Sequence, residues 1–597
     1  MSPSAPDAGQ LLWPGSGQAR RPDFGPLRQG GRTPGPPQGR RSPVSETRTV
    51  RIVPLGGLGE IGLNMMVVEA ADDLLVIDAG LMFPDEEMFG IDHVIPNMSY
   101  LLARREQIRA VLLTHGHEDH TGALPYLLRE IKAPVYGTRL SLGLAAEKLK
   151  EANLPAAADL KAVRPRDRIR FGCFEVEFLQ MCHSIPDGVA LAIGTPAGMI
   201  VHTGDFKFDQ SPVDGQLTDY RRLGELGDSG VRALLSDSTN AGRDGFTPSE
   251  QVVGRAFDAI FREAQGRIIV ACFASNIHRV QQIFDTAAAM GKQVAVCGKS
   301  MVANTRIAAE LGRLRIPEDV LVSLDELERL PVSRQVIVTT GSQGEPLSAI
   351  ARMAVAEHKQ VQISPGDTVI FSARVIPGNE KSIARTINGL YRQGARVITE
   401  ETAEVHVSGH ASREELKLML NLTRPTCFVP IHGEYRHLRL HAQLAREVGV
   451  SEAGTLVIED GDILEFDDIH ARIVGRAPVG RIFVDGRGMG DVGDAVIRDR
   501  QRLAQEGVVV IVLAVDHQGH KLVTGPQIIC SGLVHAQDSK ALTDGIQTLV
   551  CSVLESTPDA DRADLRLMEQ RIKTAIKKQL QKEFDRRPMI LPMIMEV

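Results

Sequence analysis

The chain has 597 residues, 43% of them hydrophobic and 24% charged, with a formal net charge of −7. The length predicts about three or four domains, and the net charge excludes a generally basic surface, so attraction to a polyanion must come from local basic clusters or metal ions. No apolar run approaches the roughly 18 residues of a membrane span, and no secretory apolar segment opens the chain, which predicts a cytoplasmic protein without membrane attachment.

Residues 1–48 are rich in Pro, Gly, Ser and Arg, with Arg20, Arg21, Arg28, Arg32, Arg40, Arg41 and Arg48 against Asp7, Asp23 and Glu46. This composition predicts a disordered basic tail acting as a solvated linker. Short strands follow at Val50 to Pro54, Met65 to Glu69, Leu74 to Asp78 and Ala110 to Thr114. Gly56-Gly57-Leu58-Gly59 lacks the GxGxxG spacing and precedes no helical pattern, so it reads as a hairpin turn and not a nucleotide loop. Further strands end at His183 and Asp205.

Beyond about residue 235 strands alternate with helices. Arg267 to Phe273 precedes a helix from Asn276, and Gln293 to Cys297, Gln335 to Thr340 and Thr368 to Phe371 are buried strands. That alternation predicts a second α/β domain with a largely parallel sheet. Polar clusters return at Glu404 to His410 and at Pro430-Ile431-His432-Gly433-Glu434. The segment from about 481 has the size of a small α/β domain. Seven cysteines at 173, 182, 272, 297, 427, 530 and 551 form no CxxC pair and read as reduced core residues of a cytoplasmic protein.

His115-Gly116-His117-Glu118-Asp119-His120 places four potential metal ligands in six residues after the apolar run Ala110 to Leu113. Imidazoles and carboxylates are zinc-type ligands, and a sharp loop after a strand turns alternate residues toward one point. Asp78, His183, Asp205, His410 and His432 each follow a strand-like run too. Active sites of α/β folds gather at strand ends, so five such positions joining one HxHxDH loop predict a metal centre.

These motifs resemble the metallo-β-lactamase superfamily. Ser236-Asp237-Ser238-Thr239-Asn240, His406-Val407-Ser408-Gly409-His410 and Pro430 to Tyr435 look like its β-CASP nuclease branch. Leu81-Met82-Phe83-Pro84, Gly90-Ile91-Asp92, Phe273 to Arg279, Gly341 to Pro346 and Arg586 to Pro592 are similar to the bacterial ribonuclease J family, and the resemblance spans roughly residues 50 to 597. It implies an α/β architecture: a metallo-β-lactamase αββα sandwich over 49–234 and 389–462, an inserted β-CASP α/β domain over 235–388, a linker over 463–480 and a C-terminal α/β domain over 481–597.

The resemblance further implies two divalent ions, zinc or manganese. His115, His117 and His183 would hold one, Asp119, His120 and His432 the other, and Asp205 would bridge them. Two ions roughly 3.5 to 4 Å apart activate water and steady the charge of an in-line phosphoryl displacement. Asp78 would orient a ligand. His410 would protonate the leaving 3′-oxygen, and the segment His406, Val407, Ser408, Gly409 and His410 would clamp the substrate phosphate.

Ser275 and Asn276 precede a helix, so with Arg279 they offer an anion site suited to a 5′-monophosphate, with Ser238 as a further candidate. Helix capping accounts equally well for Ser275 and Asn276. The implied activity is 5′ to 3′ exonuclease and endonuclease cleavage of single-stranded RNA to 5′-phosphate products, in mRNA decay and rRNA maturation, by a homodimer or tetramer.

Three alternatives compete with this reading. A small-molecule metallohydrolase lacks the insert and the His410 and His432 motifs, and in the DNA-repair branch the third motif resembles Val where this chain has His432. A non-catalytic RNA-binding scaffold conflicts with the filled ligand positions.

Overall fold

The computed structural model describes residues 49–597 apart from 86, 155–157, 346, 377, 468, 487, 491–492, 518–520 and 534–538. The basic tail expected over 1–48 lies outside the described residues. Among the described residues, no helix is long and apolar enough to cross a membrane.

Two sheets packed face to face form the catalytic half. In spatial order the first runs Ala471–Arg476, Asp462–Phe466, Val50–Gly56, Met65–Ala70, Asp73–Ile77, Ile108–Leu112, Val135–Gly137 and Leu160–Ala162. The second runs Cys427–Ile431, Val231–Asp237, Gly198–His202, Val189–Thr195, Phe174–Gln180 and Arg168–Phe171. Alternation along the strands sends Ile52, Val68, Ile77 and Leu112 from one sheet against Phe174, Phe178, Leu191 and Val429 from the other. The opposite faces are covered by helices, through Leu124, Leu127 and Leu142 on the first sheet and Leu223, Leu416, Met419 and Leu444 on the second. This is the αββα sandwich expected from the motifs.

The insert contains a five-stranded sheet that is parallel throughout: Gln293–Cys297, Gln335–Thr339, Ile268–Ala271, Thr368–Phe371 and Arg396–Ile398. Both faces carry helices, as the near-continuous apolar strands require. The break expected at 388 falls inside helix Glu380–Arg392, and the strand beyond it belongs to the insert sheet.

The stretch expected to be a linker over 463–480 instead supplies two strands of the first sheet, Asp462–Phe466 and Ala471–Arg476. The outer of the two is a half-exposed edge strand, which carries charged residues, and the Asp, His and Arg residues here hid the alternation. Arg481–Asp485 pairs with His93–Pro96 of the catalytic half, so the C-terminal sheet holds only Leu522–Ser531, Val508–Val515 and Met589–Glu596. Helices Ser539–Ser556 and Leu565–Phe584 pack on one of its faces through Ile546, Val550, Met568, Ile572 and Ile576.

Strands Val50–Gly56 and Met65–Ala70 pair antiparallel, as a hairpin should. Within their connection Leu58–Gly59 also pairs with Gly433–Glu434, and the Leu58 amide donates to Asp460 Oδ1 at 3.2 Å. Burial and the neighbouring Glu60 charge push the Asp460 carboxyl up to about 7, against about 3.9 for a free aspartate. A carboxyl whose folded value is raised stabilises the fold fully below its unfolded value and loses that contribution as pH rises through the folded one. Asp460→Asn should therefore melt several degrees above the parent protein at pH 8, with the gap closing by pH 4, in thermal scans followed by circular dichroism.

Candidate metal centre

Parallel pairing brings the polar residues together. Ile77 lies beside Leu112 in the first sheet, so Asp78 and the His115 to His120 loop leave from the same edge. In the second sheet His202 is level with Leu235 and Asp237 with Ile431, which sends Asp205, Asp237 and His432 out together. The two edges are tied by the Val189 amide, which donates to the Thr114 carbonyl at 2.9 Å. Asp78 and His432 both adopt left-handed backbone, with φ of 61° and 54°, a conformation non-glycine residues rarely hold without a functional constraint. Gly80 abuts the Asp119 carbonyl so closely that any Cβ would collide with it, and a Cβ on Gly409 would come within 2.6 Å of the His183 ring.

All seven sequence-predicted ligands converge. Side-chain atoms of His115, His117, His183 and Asp205 lie within 4.8 Å of one another, as do those of Asp119, His120, Asp205 and His432. Asp205 Oδ2 is 3.7 Å from both His115 Nε2 and His183 Nε2 and 3.3 Å from His120 Nε2, and its Oδ1 is 3.4 Å from His432 Nε2. His117 Nδ1 stands 3.0 Å from His115 Nε2 and 3.2 Å from His183 Nε2.

The donor set fits divalent cations. Asp205 Oδ1 and His432 Nε2 are buried and make no hydrogen bond, although buried polar atoms are normally paired. The outward nitrogens, by contrast, are fixed. His120 Nδ1 donates to Asp78 Oδ2 at 2.8 Å, His183 Nδ1 to the Gly409 carbonyl at 2.7 Å, and His432 Nδ1 to Thr239 Oγ1 at 2.8 Å. Such partners set the tautomer and aim the other nitrogen inward. Asp78 is itself held by the Thr114 amide at 2.8 Å and the Thr114 hydroxyl at 2.7 Å, so it touches a ligand and not the centre.

Charge follows position. Burial, the surrounding imidazoles and, for His115, chiefly the charge at His120 hold His115 and His183 well below the usual histidine value, while burial brings His117 down to about 4. These three imidazoles are neutral, the form that binds metal. At His120 and His432 burial also opposes a charge, but Asp205 with Asp119, Asp78 and Asp237 outweighs it and raises both. The same neighbours keep Asp205 far below the ordinary carboxylate range despite burial.

His410 stands beside this cluster, its ring stacked on His432 with centroids 5.4 Å apart. Its Nδ1 lies 2.8 Å from Asp237 Oδ2, and Asp237 and Asp205 raise it against the effect of burial. Asn240 and Thr247 donate to the His410 carbonyl at 2.9 and 2.7 Å. Ser408 Oγ accepts from Asn240 at 2.8 Å and from the His410 amide at 3.2 Å, leaving its own proton free to donate. Val407 is buried in the insert core, and His406 Nδ1 has no hydrogen-bond partner.

The residues expected for a 5′-phosphate pocket do not assemble into one. Arg279 is fully buried and paired with Glu250 at 2.7 Å. Asn276 Oδ1 caps the helix through the Arg279 amide, and the Ser238 hydroxyl, also fully buried, is held by the Ser236 carbonyl and His441. Ser275 remains half-buried at the head of the helix. Helix capping is the reading that holds here. Thr114, Asp237, Thr239, Asn240 and Thr247 carry supporting contacts that the sequence reading did not assign; Asp237, Thr239 and Asn240 were visible only within the quoted Ser236 to Asn240 motif, Thr114 only as a strand end beside the histidine loop, and Thr247 not at all.

Four family models match the chain: the metallo-β-lactamase superfamily over residues 58–269, the ribonuclease J β-CASP domain over 265–390, the Zn-dependent metallo-hydrolase RNA specificity domain over 394–455 and the ribonuclease J C-terminal domain over 495–597. The chain is 43% identical over 552 residues to Ribonuclease J2 of Bacillus subtilis, covering 92% of this chain and 99% of that one. It is 43% identical over 549 residues to Ribonuclease J of Helicobacter pylori (92% and 80% covered). With Ribonuclease J of Thermus thermophilus the identity is 42% over 554 residues (92% and 95% covered). A divalent-metal donor set on an αββα sandwich with this insert, matched by these relatives over 80% or more of their length, places the chain in the ribonuclease J family, as a metal-dependent ribonuclease.

Proposed function

We propose that the protein is a two-metal ribonuclease that cleaves single-stranded RNA to 5′-phosphate products, both stepwise in the 5′ to 3′ direction and internally, in the mRNA decay and rRNA maturation of the cytoplasm. The observation carrying this reading is the Asp237–His410 pair set against the doubled donor cluster. His115, His117 and His183 would hold one ion and Asp119, His120 and His432 the second, with Asp205 within reach of both donor groups. When bound, zinc or manganese supplies the Lewis acidity that activates water and offsets charge on phosphorus.

The chain's own residues do the rest. Asp237 orients His410 and favours its protonated form, which delivers a proton to the departing 3′-oxygen. The free Ser408 proton donates to a non-bridging phosphate oxygen, and Gly409 lets the backbone approach it closely. A 5′-monophosphate preference fits this same loop better than the helix at Asn276, because Arg279 is spent inside the fold.

A second copy of the chain fits the open face of the C-terminal sheet. Val510 is level with Ile529 and Leu591, and Val512 with Met593. Ile529, Leu591 and Met593 are exposed, a patch that marks an association surface. We assign it to a homodimer, or to a tetramer built from such pairs. Leu591→Glu combined with Met593→Glu should halve the mass seen by light scattering; an unchanged mass would remove this face from the interface.

Purified protein should degrade 5′-monophosphorylated RNA only with a divalent cation, faster than matched 5′-triphosphate or 5′-hydroxyl RNA, with zinc and manganese varied in parallel. Asp119→Ala or His120→Ala should lower cleavage at least a hundredfold and halve the bound metal measured by plasma mass spectrometry. Undiminished cleavage would end the two-metal reading.

A further inference from the structure

The Arg279 guanidinium is fully buried, and everything it touches lies where the insert joins the catalytic half. Its Nε donates to Glu250 Oε1 at 2.7 Å, at the start of the helix that opens the insert. Its Nη1 donates to Ser372 Oγ at 2.5 Å and to the Ser372 carbonyl at 2.9 Å, just past the insert strand Thr368–Phe371. The same Nη1 donates to the Val405 carbonyl at 3.0 Å. Ser372 Oγ also donates to that carbonyl, at 2.6 Å. Two insert residues thus grip one carbonyl, on the residue directly before His406.

The far end of the same loop is held by residues that precede the insert's first helix. His183 bonds the Gly409 carbonyl, and Asn240 and Thr247 bond that of His410. The network also reaches back toward the metal ligands. Lys207, two residues past Asp205 and itself buried, lies 4.0 Å from Glu250 Oε2 and 3.5 Å from Asp209, and its Nζ donates to the Pro248 carbonyl at 3.3 Å.

Stability alone is a poor reason to keep this arrangement. Removing both charges of an ion pair from water costs several kcal/mol per ion, and an apolar pair of the same volume is often as stable or more so. A planar guanidinium offers directed donors on several edges, which a lysine cannot reproduce. What it supplies here is geometry at a backbone carbonyl next to the loop that carries His410.

We infer that Arg279 and Ser372 are positioning residues: through the Val405 carbonyl they set the place of the His406–His410 loop over the metal centre, and so couple the packing of the insert to proton delivery by His410. This inference rests on the ribonuclease reading given above for that loop. Both side chains are buried, Ser372 at 1% exposure.

The test compares two substrates. RNA has a poor alkoxide leaving group that needs the His410 proton, whereas bis(p-nitrophenyl) phosphate releases a stable phenolate and reports only on the metal centre. Ser372→Ala removes one hydroxyl and no charge, and should stay folded by circular dichroism with its metal content unchanged. Its kcat on RNA should fall about tenfold with KM little altered, while hydrolysis of the small diester stays within about twofold of the parent. Arg279→Lys, which keeps the buried charge but not the fork of donors, should show the same split.

Equal losses on both substrates in proportion to the folded fraction would mean a merely structural role, and unchanged RNA turnover in both variants would also overturn the inference. Failure of the parent protein to cleave RNA at all would instead overturn the ribonuclease reading of the loop, so the two failures are separate.

Discussion

Asp205 is a buried carboxylate with four imidazole nitrogens between 3.3 and 3.7 Å from its oxygens. An ionised group this far from water persists only if it is paired or coordinates a cation. Asp205 draws the His120 and His432 imidazoles toward the charged form, and these offset part of its own burial. The neutral His115, His117 and His183 do not, and they press their nitrogens together. Such crowding is a weak way to hold a protein folded and an effective way to hold a cation, because every lone pair that repels its neighbours is one that a metal would satisfy. The left-handed backbone at Asp78 and His432 belongs to the same account, since local strain is tolerated where surrounding structure over-determines it.

The insert separates the pieces of this centre in sequence without separating them in space. Val231–Asp237 and Cys427–Ile431 are neighbouring parallel strands, and the whole insert hangs between them. Thr239 Oγ1 therefore meets His432 Nδ1 at 2.8 Å across 193 positions. A parallel pair needs a crossover, and here the crossover has become a domain.

That topology explains what could be read in advance. The HxHxDH loop, Asp78, His183, Asp205, His410 and His432 were legible because an ionisable residue at the end of an apolar strand has few other uses. Asp237, Thr239 and Asn240 stood out only as part of a motif resemblance and not by their own chemistry, since Ser, Thr, Asp and Asn after a strand are ordinary turn formers, and their roles depend on partners nearly 200 residues away. Arg279 was misread for a related reason. Sequence shows a base after a capping residue at a helix start, and the pattern cannot say that the guanidinium points inward to Glu250. The strands at 462–466 and 471–476 were missed because the outer of the two, at the sheet edge, carries the charged residues of a linker.

The His406–His410 segment belongs to neither domain alone. The carbonyl just before it, that of Val405, is gripped from the insert by Arg279 and Ser372, and its last two carbonyls by His183, Asn240 and Thr247, which precede the insert's first helix. A tilt of the insert as a rigid body would lengthen bonds of 2.6 and 3.0 Å at Val405 while those at Gly409 and His410 stayed put, and the difference would have to be absorbed within five residues. Val407, packed into the insert core, stiffens that short stretch further. Packed interiors respond to such loads by switching between discrete arrangements more than by bending. Through the Val405 carbonyl the buried pair at Arg279 thus bears on the loop that holds His410 beside Asp237 and His432.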